Sequence, residues 1–272
     1  GFFIHGLWSG SPPDTRGRSP VRKSRTPGSV RGVSGNGYPY RDNILCESYV
    51  HVEPEWLKQV SAVIREEKLS LIRNEIEDFA DKRIKFFLSD DVLIEIKFTE
   101  GSIKAKVTAY GPIILLIGSA ILNYSSFRES VKQLASDMYR ASSMLSSEML
   151  FQTNSRNKSE ILRIEARKGI VGSIERINNK IDSINSQLDG KELSPTRINS
   201  ELLDLNDMIL TLLSNLKNAE DTKLVASSLS DGVSKLSIRK SRFKLKNKLD
   251  ESMYASLFNE KKSIIKNLAQ YK

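Results

Sequence analysis

Cysteine and histidine are almost absent from this chain. Cys46 is the single cysteine among 272 residues, and His5 and His51 are the only histidines. One cysteine excludes a disulfide within the chain and a zinc site built on thiolates. A reducing compartment is the simplest setting for such usage, so a cytoplasmic protein is expected. A phosphate loop, a dinucleotide glycine motif and a nucleophile elbow are all missing, and no metal-ligand spacing occurs. The acid pairs Glu66-Glu67 and Asp90-Asp91 fall beside expected helix ends, where capping and solvation account for them. No metal, no cofactor, no small-molecule substrate and no enzymatic activity are therefore expected. The stretch Gly1–Gly10 has no basic residues before its apolar ones, which does not make a signal peptide.

The chain is instead rich in positive charge. Lysine and arginine number 42 against 33 acids, a formal charge of +9 with a pI near 9.5. That balance favours polyanion partners, nucleic acid or acidic membrane. Part of it sits in residues 1–43, which read as a flexible basic arm of Ser, Pro, Gly and Arg. From Ser9 to Gly37, Arg16, Arg18, Arg22, Lys23, Arg25 and Arg31 face one acid, Asp14. Such a segment cannot bury enough apolar surface to offset its chain entropy, and suits ordering on an anionic partner. A second cluster, Arg239, Lys240, Arg242, Lys244, Lys246 and Lys248, contains no acid and is read as helical. It either neutralises phosphates or forms a solvated face balanced by Asp250, Glu251 and Glu260.

Between these clusters, residues 44–153 read as helix, β-hairpin and apolar helix. Apolar residues recur at helical spacing from Pro54 to about Leu88, with a break expected near Glu67. Val92–Phe98 and Ile103–Tyr110 alternate apolar and charged residues around Thr99-Glu100-Gly101-Ser102, which predicts a hairpin. Val107–Phe127 then runs 21 residues without a charge. Its apolar centre, Ile113, Ile114, Leu115, Leu116, Ile117, Ile121 and Leu122, is read as a buried helix continuing to Phe151. A membrane-inserted segment is the alternative.

The clearest periodicity follows, in residues 160–218. Ile170, Ile174, Ile177, Ile181, Ile184 and Leu188 step by 4, 3, 4, 3, 4, and Ile198, Leu202, Leu205, Ile209, Leu212 and Leu216 repeat the steps. This is the heptad seam of a coiled coil, each helix offering roughly 27 Å of it. Asp189-Gly190 ends the first helix, with glycine expected in the left-handed cap, and Ser194-Pro195 starts the second. Two equal seams joined by a short loop predict an antiparallel hairpin, packed either in a bundle or against another subunit. Residues 219–272 read as basic C-terminal helices with Leu245, Leu249, Met253, Leu257, Ile264, Leu268 and Tyr271 as the buried stripe.

Phe3-Ile4-His5-Gly6-Leu7-Trp8 resembles the first active-site motif of the ribonuclease T2 family, whose histidine takes part in RNA cleavage. Glu55-Trp56-Leu57-Lys58 is similar to part of that family's second motif. The resemblance implies an acid–base role for His5, with Glu55 and Lys58 stabilising charge. The chain departs from the pattern at Pro54 and Gln59, which stand where the family has histidines, and Pro13 does not restore the proline expected after Trp8. The family's disulfides cannot form. With the second proton-transfer group missing, no ribonuclease activity from His5 is expected.

The sequence thus predicts a mainly α fold with one small β-hairpin, a helical bundle containing an antiparallel coiled-coil hairpin. The function expected is that of a structural or interaction component, with helices contacting protein partners or a second copy and basic segments contacting an anionic surface. A membrane-associated effector or scaffold is the alternative, and a nuclease a distant third.

Overall fold

The structure, a computed structural model, describes residues 43–99, 102–118 and 123–271. The basic arm with His5 and Arg16 to Arg31, and also Ile121 and Leu122, lie outside the described residues. In order, the elements are β1 (Asn43–Val52), α1 (Trp56–Gln59), α2 (Ala62–Phe87), β2 (Leu93–Thr99), β3 (Ile103–Gly111), α3 (Ile113–Ile117) and α4 (Tyr124–Gln152). After them come β4 (Ile161–Arg167), α5 (Gly169–Leu188), α6 (Pro195–Asn215), α7 (Ala219–Ser234) and α8 (Lys248–Ala269). The chain is mainly helical with a small antiparallel sheet, as its patterning predicts.

The sheet is larger than the expected hairpin. Its order is β2-β3-β1-β4, antiparallel throughout. The hairpin itself is where the alternation puts it, in register from Leu93 opposite Tyr110 to Thr99 opposite Lys104. The central strand β1 hides its period because two inward positions are Cys46 and Ser48 rather than aliphatic residues. Both are nearly sealed from solvent, and Ser48 shares a 2.6 Å hydrogen bond with Ser146 of α4. An inward hydroxyl is tolerated when it finds such a partner. The second strand not expected, β4, lies directly before the first heptad seam.

Helices α4 and α5 cover the inner face of the sheet at β1. Gly169 makes the β4–α5 junction possible. Its φ is +54°, and a Cβ there would stand 2.1 Å from the carbonyl oxygen of Ile44. Only glycine fits both demands.

The seam residues of α5 and α6 are buried inside this chain, apart from the half-buried Ile170 at the start of α5. Lys180 of α5 pairs with Glu201 and Asp204 of α6, so the middles of the two helices lie side by side. Helix α6 also packs on α8, and α7 on α8. The expected glycine cap is corrected: Gly190 has an ordinary φ, and the left-handed residue in this loop is Glu192, at +56°. Along α8, Leu257, Ile264 and Leu268 are buried as expected, whereas Leu249 and Tyr271 are exposed. Phe151, at the end of α4, is exposed as well. The break in the first helix falls at Val60-Ser61, earlier than Glu67.

The uncharged run Val107–Phe127 is not one helix. It begins in β3, forms the short α3 and ends in the first turn of α4. Ile113 is fully buried, Ile114, Leu116 and Ile117 are half-buried, and Leu115 is exposed. Among the described residues no helix is long and apolar enough to cross a membrane.

Two sunken carboxylates tie these pieces together. Asp221, in the first turn of α7, accepts hydrogen bonds from the Asn43 side chain and from the N–H groups of Ile113 and Ile114, both at 2.8 Å. It therefore caps a helix other than its own. Glu160 accepts from the N–H groups of Glu55, Arg156 and Asn157, joining the segment after β1 to the one before β4. These backbone donors hold its carboxyl below the usual range.

Candidate polyanion interface

A strand turns alternate side chains to opposite faces, so an inner face of Val50, Val52, Ile103, Ala105 and Val107 fixes the outer one. Reading across the register, Thr99, Lys104, His51 and Arg163 form one row of that outer face. Lys97, Lys106, Tyr49 and Glu165 form the next, and Glu95, Thr108, Glu47 and Arg167 the third. Five cations thus share this face with three carboxylates.

Depth, more than number, decides what the face presents. The Glu47 and Glu165 side chains are only 11% and 20% exposed, while Lys97, Arg163 and Arg167 are 62%, 56% and 58% exposed. Glu47 accepts from Lys106 and, at 3.3 Å, from Arg167; Glu165 accepts from Arg163 and Arg167. The acids pair with the charged heads themselves, Lys97 with Glu95 at 3.1 Å among them, while the side chains of Lys97, Arg163 and Arg167 stay more than half exposed. Lys104 has no carboxylate within ion-pairing distance among the described residues. The face carries an excess of two positive charges.

Aromatic and imidazole groups lie among the cations. Tyr49 sits mid-face on the central strand, with the Arg163 guanidinium 5.7 Å from its ring centre. The Tyr110 hydroxyl donates to Glu95 at 2.9 Å, and burial, with that carboxylate adding to it, pushes the phenol up to about 12. His51 shares a 3.0 Å hydrogen bond with Ser102. His51 lies on β1, and Glu55 and Lys58 follow at the α1 turn.

The second basic cluster has a different form from the one expected. Lys240–Arg242 make one 3₁₀ turn, the chain then runs extended, and helix α8 begins only at Lys248. The extended path follows from Leu193, which exchanges backbone hydrogen bonds of 2.9 and 3.0 Å with Arg242 and Lys244 across the α5–α6 loop. Arg242 donates to the Leu188 carbonyl and to Asp189, each at 2.7 Å, and Lys244 to Glu192 at 3.2 Å. Two of the six cations thus latch this loop, while Arg239, Lys240, Lys246 and Lys248 remain exposed. Asp250 is used locally, accepting from the Lys246 N–H at 2.9 Å.

The described residues hold no group of three or more His, Cys, Asp and Glu side chains able to take a metal ion. Comparison with protein-family models, with curated proteins and with solved structures finds no match. The face described here was half legible beforehand. Lys104 and Lys106 stand in the alternation that predicts β3, but Tyr49, Arg163 and Arg167 belong to strands the sequence reading missed. The signal for β4 was present, six alternating residues from Leu162 to Arg167.

Proposed function

We propose that this chain is a non-enzymatic interaction component that holds a nucleic acid against the outer face of its sheet. The observation that carries the reading is the excess of cations on that face around Tyr49, with Glu47 and Glu165 sunk and Lys97, Arg163 and Arg167 more than half exposed. Such a surface suits phosphates, whose binding releases counterions and reads no bases. Tyr49 offers one ring for stacking, too few for sequence discrimination. The exposed cations of the 239–248 segment and those of the arm would add sequence-independent contacts. In this reading α5 and α6 are an antiparallel coiled-coil hairpin serving as scaffold. Any partner protein met by these helices would use faces other than the seam, because the seam is already covered within the chain.

The test is a fluorescence titration of random-sequence single-stranded RNA and DNA with the full chain and with Lys97→Gln/Lys104→Gln/Arg163→Gln. The variant is expected to bind at least about tenfold more weakly, as loss of several phosphate contacts should. Equal affinity of the two proteins would refute the reading.

A further inference from the structure

The sheet ends on β4, and among the described residues no strand pairs with its far side. An edge strand offers unpaired N–H and C=O groups to any extended chain that can lie beside it. Folds commonly blunt such an edge with lysine, proline or a covering helix. The opposite edge is protected in this way: α2 packs beside β2, and Ile94, Ile96 and Phe98 are half-buried against the core. Strand β4 holds neither lysine nor proline. Its one irregularity is the bulge at Leu162, which leaves residues 163–167 in regular register with β1.

Apolar side chains at this edge lack the cover their neighbours have. Ile164 lies opposite Val50 on the inner face, yet Val50 is 1% exposed and Ile164 is 44% exposed. Leu162 is exposed as well. A further strand beside β4 would set an apolar neighbour on the open flank of Ile164.

The order of residues in β4 says which strand fits. Ile161-Leu162-Arg163-Ile164-Glu165-Ala166-Arg167 is self-complementary about Ile164. Two copies laid antiparallel around that residue set Ile164 opposite Ile164, and Arg163 opposite Glu165 on each side of it. Opposite charges facing each other across a strand pair stabilise it, and like charges destabilise it. Centring the pair on Arg163 sets arginine on arginine, and centring it on Glu165 sets glutamate on glutamate. The registers between these would turn apolar residues to the charged face. One register therefore satisfies both faces, and the contact it makes is isologous, the commonest form in homodimers.

We propose that β4 pairs antiparallel with β4 of a second copy, centred on Ile164, so that two sheets join into one. The two-fold axis stands perpendicular to the sheet, and both outer faces point the same way. In the nucleic-acid reading this joins two cationic faces into one, but the dimer itself does not rest on that reading. A seven-residue strand makes a small interface, so the dimer is expected to depend on concentration.

Sedimentation velocity of the full chain, without nucleic acid, should show monomer passing to dimer as concentration rises. Arg163→Glu should abolish the dimer by setting carboxylates opposite Glu165, and Arg163→Glu/Glu165→Arg should restore it. Ile164→Lys should abolish it too, and circular dichroism should show every variant folded. Register is read by Ile164→Cys, whose thiol meets its own copy across the axis while the native Cys46 stays buried. Mild oxidation should give a covalent dimer from Ile164→Cys and not from Leu249→Cys, an exposed position on α8. A wild type that stays monomeric at every concentration would overturn the proposal. So would a dimer that survives Ile164→Lys, a charge swap that fails to restore pairing, or equal cross-linking of the two cysteine variants.

Discussion

The two faces of the sheet are built from the same strands, one residue out of step. On the inner face Ile103, Ala105 and Val107 of β3 meet Val50 and Val52 of β1, all essentially sealed from solvent. On the outer face Lys104 and Lys106 of β3, both half-buried, meet His51 and Tyr49 of β1. A period of two therefore separates stability from interaction within a single strand. Substitution on the inner face should cost folding and leave nothing to bind, and on the outer face it should cost binding and leave folding intact.

The largest effect is expected at Val107. Val107→Asp would place an unpaired carboxylate among apolar side chains, a cost of several kcal/mol. Against a total stability of about 5–15 kcal/mol this should leave the chain unfolded or nearly so. A cooperative melt near that of the wild type would break the assignment of faces. The helical side of the same core is tested next. Ile177→Ala and Ile209→Ala, each in a buried seam position, should cost about 2–5 kcal/mol in chemical denaturation. A cost below about 1 kcal/mol at both would mean that the seams are not packed as described.

Those seams and the β2–β3 hairpin were legible because each holds its period over enough residues for chance to fail. Strand β1 was not, because Cys46 and Ser48 stand where aliphatic residues would have marked the inward face. The 239–248 segment was misjudged for a different reason. Its extended path depends on Leu193, fifty residues away in sequence, and local propensity has no access to a backbone pairing at that distance.

Smaller effects sharpen the comparison at the rim of the sheet. Glu160 has its carboxyl held low by backbone donors, so its contribution is present above the ordinary carboxylate range and lost as pH falls through its folded value. Glu160→Gln should therefore lower stability near neutral pH, with the gap to wild type closing in acid. A gap that widens in acid would reverse the sign of the argument. Cys46, sealed on the inner face, has its thiol pushed up by burial to about 11. A thiol reagent at mildly alkaline pH should label it only on unfolding. Labelling of the native chain at the rate of a free thiol would place β1 nearer the surface than described.

The smallest effect on stability, and the largest on binding, is expected on the outer face. Lys97→Gln/Lys104→Gln/Arg163→Gln should change stability by no more than about 0.5 kcal/mol per site, as exposed charges do. The most direct test of the central claim is the slope of log affinity against log salt for single-stranded nucleic acid, measured on the wild type and on this variant. If these cations neutralise phosphates, the slope should become shallower by about 0.7 for each contact removed, with the melting temperature unchanged. Parallel slopes and equal affinities in two equally folded proteins would contradict the account.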